Sequence, residues 1–175
     1  AGRTEDLAAV VAQLPADLVG DGIGIVGYSL GGNAVLKLMG EGHRLPIRAA
    51  ASVSAPIDLS RTAHRFTDAR NALYHRWMLA RMKREATAGG ATTTPAERAA
   101  VASARTVIEF DDRFVAPRNG FRGAEDYYAR CSATGFLASI RAPTLLIHAD
   151  DDPWIPSGTY RGWNWSANRA LVPAL

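Results

Sequence analysis

The residues best placed to do chemistry are Gly27-Tyr28-Ser29-Leu30-Gly31, a serine held between two glycines in a G-x-S-x-G pattern. Ahead of them Gly24-Ile25-Val26 reads as a short buried strand. Behind them Gly32-Asn33-Ala34-Val35-Leu36-Lys37-Leu38-Met39 reads as a helix. A serine on a sharp strand-to-helix turn is pushed out of the fold with its hydroxyl exposed as a nucleophile. The N–H of Leu30 then lies at a helix N-terminus, where a developing oxyanion is stabilised. Glycines on both sides are expected because the turn brings strand and helix too close for side chains. A chain of this length and glycine content meets the bare pattern by chance roughly once in ten to fifteen, so the flanking strand and helix decide the reading.

A second group lies about 120 residues downstream, in Pro143-Thr144-Leu145-Leu146-Ile147-His148-Ala149-Asp150-Asp151-Asp152-Pro153. Thr144 to Ile147 reads as a buried parallel strand, and three carboxylates follow on the loop at its C-terminal end. Functional residues of open α/β sheets collect at that edge. Ser29 also follows the C-terminal end of its strand, so serine and acids are expected on one rim, with one acid orienting a base.

These residues need an α/β scaffold. Leu7, Val10, Val11 and Leu14 recur at helical spacing ahead of the first strand, and Ala49 to Ala55 reads as the next strand. The organisation reads as core (1-57), helical insertion (58-139) and core (140-175). In the insertion Phe66, Leu73, Trp77 and Ala80 fall near one helix face, with Arg70, Arg76, Arg81, Lys83 and Arg84 largely outside it. Ala88-Gly89-Gly90-Ala91-Thr92-Thr93 reads as a loop. Thr94-Pro95-Ala96-Glu97 reads as a capping box with proline at the first helical position. Gly123 to Cys131 reads as a further short helix.

Taken together, Gly27-Tyr28-Ser29-Leu30-Gly31-Gly32-Asn33, Glu109-Phe110-Asp111-Asp112, Ala116-Pro117, Gly120-Phe121, Asp126-Tyr127-Tyr128 and Pro143 through Pro153 resemble one branch of the α/β-hydrolase superfamily. That branch holds bacterial hydrolases, eukaryotic abhydrolase-domain lipases and medium-chain fatty-acid ester synthase/hydrolases. The resemblance runs from about Arg3 to Pro156. It implies an α/β-hydrolase fold of parallel strands with flanking helices and a helical cap insertion. It also implies a serine hydrolase acting on carboxylic esters, medium-chain acyl esters or acylglycerols. Ser29 is then the nucleophile, Leu30 N–H an oxyanion-hole donor, and Asp152 the triad acid, with Asp58 a fallback. Trp77, Met78 and Met82 would line the cap's acyl pocket or simply pack between helices.

The family order is Ser, Asp, His, and no histidine follows Asp152. His43 reads as a surface cap, His64 and His75 as solvated, and His148 as packed in the rim. The resemblance puts the base after one further strand, beyond Leu175, and four strands with a second oxyanion donor ahead of Ala1. A fragment inactive by itself is therefore expected, with a bare apolar edge on the first strand. The alternative is a non-catalytic binding or scaffold domain on the same fold.

Composition fits an ordinary folded domain, 47% apolar and 21% charged, with a net charge of +3. The expected partner is a small acyl ester. The arginines are scattered along the sequence, which gives nucleic acid little support. No apolar run is long enough to span a membrane. A cytoplasmic location, a buried Cys131, no cofactor and no metal are expected. Gly22-Ile23-Gly24-Ile25-Val26-Gly27 matches G-x-G-x-x-G, but its glycines run into and through a strand, where no dinucleotide site forms.

Overall fold

The computed structural model describes residues 4–88 and 93–175, so most of the loop expected around Gly89 lies outside the described residues. The chain divides into two compact units, one of residues 2–59 and 131–175 and one centred on residues 60–130. In chain order the first unit supplies α1 (Glu5–Ala12), α2 (Ala16–Val19), β1 (Ile23–Tyr28), α3 (Leu30–Gly40) and β2 (Ile47–Val53). Next come α4 (Leu59–Phe66), α5 (Ala72–Thr87), α6 (Pro95–Ser103), α7 (Val107–Phe110), α8 (Ala116–Arg118) and α9 (Ala124–Cys131). The chain then returns through β3 (Thr144–Ile147), α10 (Gly158–Arg161) and β4 (Leu171–Ala174).

The four strands form one all-parallel sheet in the order β1-β2-β3-β4. Parallel strands need crossovers, and α3 makes the one between β1 and β2. The register aligns Val26, Ala51, Leu145 and Val172 across the sheet. The alternate positions Ala50, Ser52, Thr144, Leu146 and Leu171 are buried. They face a core that includes Leu36, Ile57, Leu137, Ile140, Ile155 and Tyr160. The burial of β1 and β3 is a correction to their reading as fully buried strands. Val26 and Tyr28 are 56% and 70% exposed, and Leu145, Ile147 and Val172 are exposed with them. Successive strand residues point to opposite faces, and only one face is covered among the described residues.

The 60–130 unit is helical. Thr94 opens α6 with a full capping box: the Glu97 N–H donates to Thr94 Oγ1 and the Thr94 N–H donates to Glu97 Oε2. Leu79, Val101, Ala104, Phe110 and Phe114 form its core, with Met82 and Ala86 against them. This corrects the expected face of α5. Its packed side carries His75, Leu79, Met82 and Ala86, whereas Leu73 and Trp77 are 82% and 53% exposed. His75 is likewise buried rather than solvated, and its Nε2 accepts the Val107 N–H at 3.1 Å. Burial lowers its pKa.

A π-helical turn, Asp111–Val115, follows α7. It buries the Asp111 carboxyl, which accepts a hydrogen bond from Tyr128 Oη at 2.7 Å. Neighbouring Asp112 accepts the Ala124 N–H at 2.9 Å and caps α9. Burial pushes the Asp111 pKa up from 3.8 to about 6, against the pull of the Tyr128 hydrogen bond. The unfolded chain therefore releases this proton first as pH rises, and stability falls between about pH 4 and pH 6, by about 3 kcal/mol from this group. Asp111→Asn keeps an acceptor for Tyr128 and has no charge to bury. Urea unfolding of the variant should show that pH dependence flattened and a higher midpoint at neutral pH. An unchanged pH profile would show that Asp111 ionises freely in the folded state.

Among the described residues no helix is long and apolar enough to cross a membrane.

Candidate active site

Ser29 stands between β1 and α3 with φ 49° and ψ −126°. That is the region taken by the first central residue of a type II′ turn, where glycine is the usual occupant. A non-glycine residue held there stores strain, and such strain concentrates at functional sites. Two sets of hydrogen bonds hold the turn. The Ser29 N–H donates to Val53 O at 2.9 Å, and Ser29 O accepts the N–H groups of Gly32 and Asn33 at 2.9 and 3.3 Å. The residue occupies the N-cap position of α3, yet its hydroxyl caps nothing. Serine at this position ordinarily bonds the first-turn amides. Here the side chain is exposed and its hydroxyl is left available. Leu30 opens α3, so its N–H is one of the first-turn amides without an intrahelical acceptor.

The close approach of strand and helix falls on Gly27, as expected, and on Gly32 in place of Gly31. A Cβ on Gly27 would lie 2.6 Å from Gly31 C and 2.7 Å from Gly32 N. A Cβ on Gly32 would lie 2.7 Å from Ser52 Oγ and 2.8 Å from Ala55 Cβ. A Cβ on Gly31 would meet nothing within 4 Å. Gly27→Ala should thus destabilise the protein by about 1–3 kcal/mol, because the clash is with backbone. Gly31→Ala should stabilise it by about 0.5–1 kcal/mol, since alanine is the better helix residue. Urea midpoints of the two variants check this, and equal midpoints would show that the turn relaxes freely.

Asn33 is a positioning residue that the sequence reading noted only as part of the motif. It is buried on α3, donates from Nδ2 to Cys131 O at 2.9 Å and accepts the Ala133 N–H on Oδ1 at 2.8 Å. The elbow helix is thereby tied to the segment after α9. Ser54, at the end of β2, was also missed. Its φ is 45°, and its N–H donates to Ile147 O at 2.8 Å. Strain thus occurs at the C-terminal ends of two neighbouring strands. No glycine or motif marks Ser54 in the sequence.

The three acids lie beyond β3 on the same rim as Ser29, two strand spacings or about 10 Å along the sheet. They are not equivalent. Asp150 is paired with Arg161, whose Nε lies 3.1 Å from Oδ1, and this pairing lowers its pKa. Asp151 is exposed. Asp152 is half-buried, and its Oδ1 accepts the N–H groups of Trp154 and Ile155, both at 2.9 Å. Its Oδ2 accepts no hydrogen bond among the described residues. One oxygen therefore fixes the carboxylate while the other stays available. Asp58 lies half-buried between β2 and α4.

Three of the four histidines are hydrogen-bonded elsewhere, and the fourth is buried. His43 follows the C-terminus of α3, at the opposite edge of the sheet from Ser29, with Nε2 3.2 Å from Glu41 Oε2. His64 bonds Ser60 O through Nδ1 at 2.8 Å, and His75 is buried against Val107. His148 is 3% exposed and stacked on Tyr160, with centroids 4.1 Å apart and planes within 4°. Neither ring nitrogen has a hydrogen-bond partner among the described residues. Burial lowers its pKa, against the charges of Asp152 and Asp150. Tyr160 anchors this stack by donating from its hydroxyl to Ala55 O at 2.7 Å. Cys131 is buried. Among the described residues no group of three or more His, Cys, Asp or Glu is gathered as a metal set.

No protein-family model matches the chain. A protein of Escherichia coli that carries the name esterase YheT is 38% identical over 158 residues, covering 88% of this chain and 46% of its own length. Mouse phospholipase ABHD3 is 29% identical over 89% of this chain and 38% of its own. A monoacylglycerol lipase of Saccharomyces cerevisiae is 29% identical over 87% and 36%. The chain thus spans less than half the length of these relatives. Among solved structures, an esterase of Pyrococcus furiosus superposes with a TM-score of 0.53 over 98% of this chain and 51% of its own, at 18% identity. With its parallel sheet and its strained strand-to-helix serine, the chain carries the α/β-hydrolase fold and belongs to that superfamily, on the branch of esterases and abhydrolase-domain lipases.

Proposed function

We propose that the full-length protein is a serine hydrolase of carboxylic esters, with Ser29 as its nucleophile. The observation that carries this reading is the Ser29 backbone: φ 49° at the junction of β1 and α3, with an exposed hydroxyl that caps nothing. In this reading Ser29 Oγ attacks the acyl carbonyl. The Leu30 N–H, with a second donor, stabilises the tetrahedral oxyanion. A histidine takes the serine proton and returns it to the leaving alcohol, and Asp152 holds that histidine in the right tautomer. The base is none of the four histidines present, since each is engaged elsewhere or buried. This chain alone is then without turnover. The esterase and lipase names of its relatives favour acyl esters, and the yeast and mouse proteins favour glycerolipid esters among them. Acyl transfer to an alcohol would run through the same acyl-enzyme.

The direct test is a fluorophosphonate probe on the full-length protein, with the labelled peptide read by mass spectrometry. The expected adduct is on Ser29 and is absent from Ser29→Ala. A folded protein that takes no label, or takes it on another serine, overturns the assignment.

A further inference from the structure

α5 exposes a face whose chemistry the hydrolase reading does not use. Leu73, Trp77, Ala80 and Arg84 recur every three or four residues and are all exposed. Arg76 and Arg81 flank them on the same helix, and Arg70 precedes it. Trp77 continues an aromatic row, with ring centroids 5.7 Å from Tyr74, which lies 6.0 Å from Phe66. Arg81 lies over the Trp77 ring at 5.9 Å and pairs with Glu85. Arg70, Arg76 and Arg84 have no ion-pair partner among the described residues.

The arginines look scattered along the sequence, but the helix gathers them. The residues of the helical unit, 60–130, hold thirteen of the chain's twenty Lys and Arg and eight of its seventeen Asp and Glu. Their net charge is +5, against −2 for the rest of the chain. Leu73 and Trp77, one helical turn apart, form an exposed apolar pair rimmed by cations, and apolar surface with a polar rim marks a docking face. A tryptophan ring settles at the boundary of headgroups and acyl chains. An amphipathic helix with a basic rim lies in that plane, apolar side inward. A nucleic acid would use the arginines but not Leu73, and an acidic protein that used both would leave the vesicles unbound.

We propose that this face of α5 docks on an anionic lipid surface. Leu73 and Trp77 enter the interface, and Arg70, Arg76, Arg81 and Arg84 meet the headgroup phosphates. The binding is peripheral and reversible, and it weakens with salt because the arginine contacts are screened.

The experiment is co-sedimentation of the full-length protein with phosphatidylcholine vesicles, with and without about a third phosphatidylglycerol. Binding is expected only to the anionic vesicles. Leu73→Ser with Trp77→Ser should weaken it about tenfold or more, since it removes the inserted apolar groups. Arg70→Gln, Arg76→Gln and Arg84→Gln together should abolish the preference for anionic lipid. Brominated acyl chains should quench a fluorescence component that Trp77→Phe lacks. Circular dichroism of each variant separates lost binding from lost fold. No vesicle binding by the wild-type protein overturns the proposal, as does binding indifferent to Leu73 and Trp77. Equal affinity for soluble heparin, insensitive to the Leu73 and Trp77 substitutions, would point to a polyanion instead. A Trp77 that lipid cannot quench would show that another part of the protein covers the face. Ser29 labelling is scored separately, so failure here leaves the hydrolase reading standing, and the reverse.

Discussion

Ser29→Ala should lower ester turnover by the full-length protein about a million-fold, the cost of removing the nucleophile of a comparable triad. The same site should gain stability when it loses function. Ser29 is held at φ 49° and ψ −126°, and a non-glycine residue in such a region costs about 1–3 kcal/mol. Alanine keeps a Cβ and so keeps the strain. Glycine removes it, at an entropy cost of about 0.5–1 kcal/mol. Ser29→Gly should therefore be more stable than wild type by about 1 kcal/mol, the difference between those two costs. Both variants should be equally inactive. Paired turnover assays and urea midpoints check the two halves. Residual turnover in Ser29→Ala near the wild-type rate would remove the nucleophile assignment. A Ser29→Gly variant less stable than wild type would show that the turn is set by serine's own contacts rather than forced on it.

What could be read from the sequence was what local chemistry specifies. Thr144 to Ile147 forms the expected strand, because a proline and three acids bound it on either side. The capping box at Thr94 is present because its partners lie three residues apart. The turn at Ser29 was legible for the same reason: glycines and an apolar strand fix it within a few residues. The orientation of α5 was not legible. Two faces of that helix carry apolar residues at helical spacing, Leu73 with Trp77 and Leu79 with Met82, and the arginines border both. Only the packing of Val101, Phe110 and Phe114 against Leu79 selects one. The role of Gly32 was hidden likewise, since its crowding comes from Ser52 and Ala55 across the crossover. Ser54 has no local marker, and its strain follows from the hydrogen bond its N–H makes to the neighbouring strand. The choice among Asp150, Asp151 and Asp152 rested on resemblance alone. The Arg161 pair on Asp150 and the two backbone N–H groups on Asp152 give a physical basis for telling the three apart.

That basis makes the acid testable. Asp152→Asn should lower ester turnover about ten-thousand-fold while leaving the fold intact. Asparagine keeps Oδ1, so the hydrogen bonds from Trp154 and Ile155 survive and the loop after β3 holds its shape. The change falls on Oδ2, which becomes an N–H donor. A catalytic histidine must donate its own ring N–H to that position, so the amide forces the wrong tautomer and the serine loses its base. Asp151→Asn should cost less than about tenfold, because an exposed carboxylate acts on the site only through solvent. Asp150→Asn should act through its partner: Arg161 is released, and stability drops only slightly, as for other exposed ion pairs. Rates with an activated ester, alongside urea midpoints, separate these cases. A severe loss at Asp151 with Asp152 mild would move the acid one residue earlier. A severe loss at Asp58→Asn with both of these mild would place it after β2. In either case Asp152 would be left as a loop cap whose two backbone hydrogen bonds are its whole function.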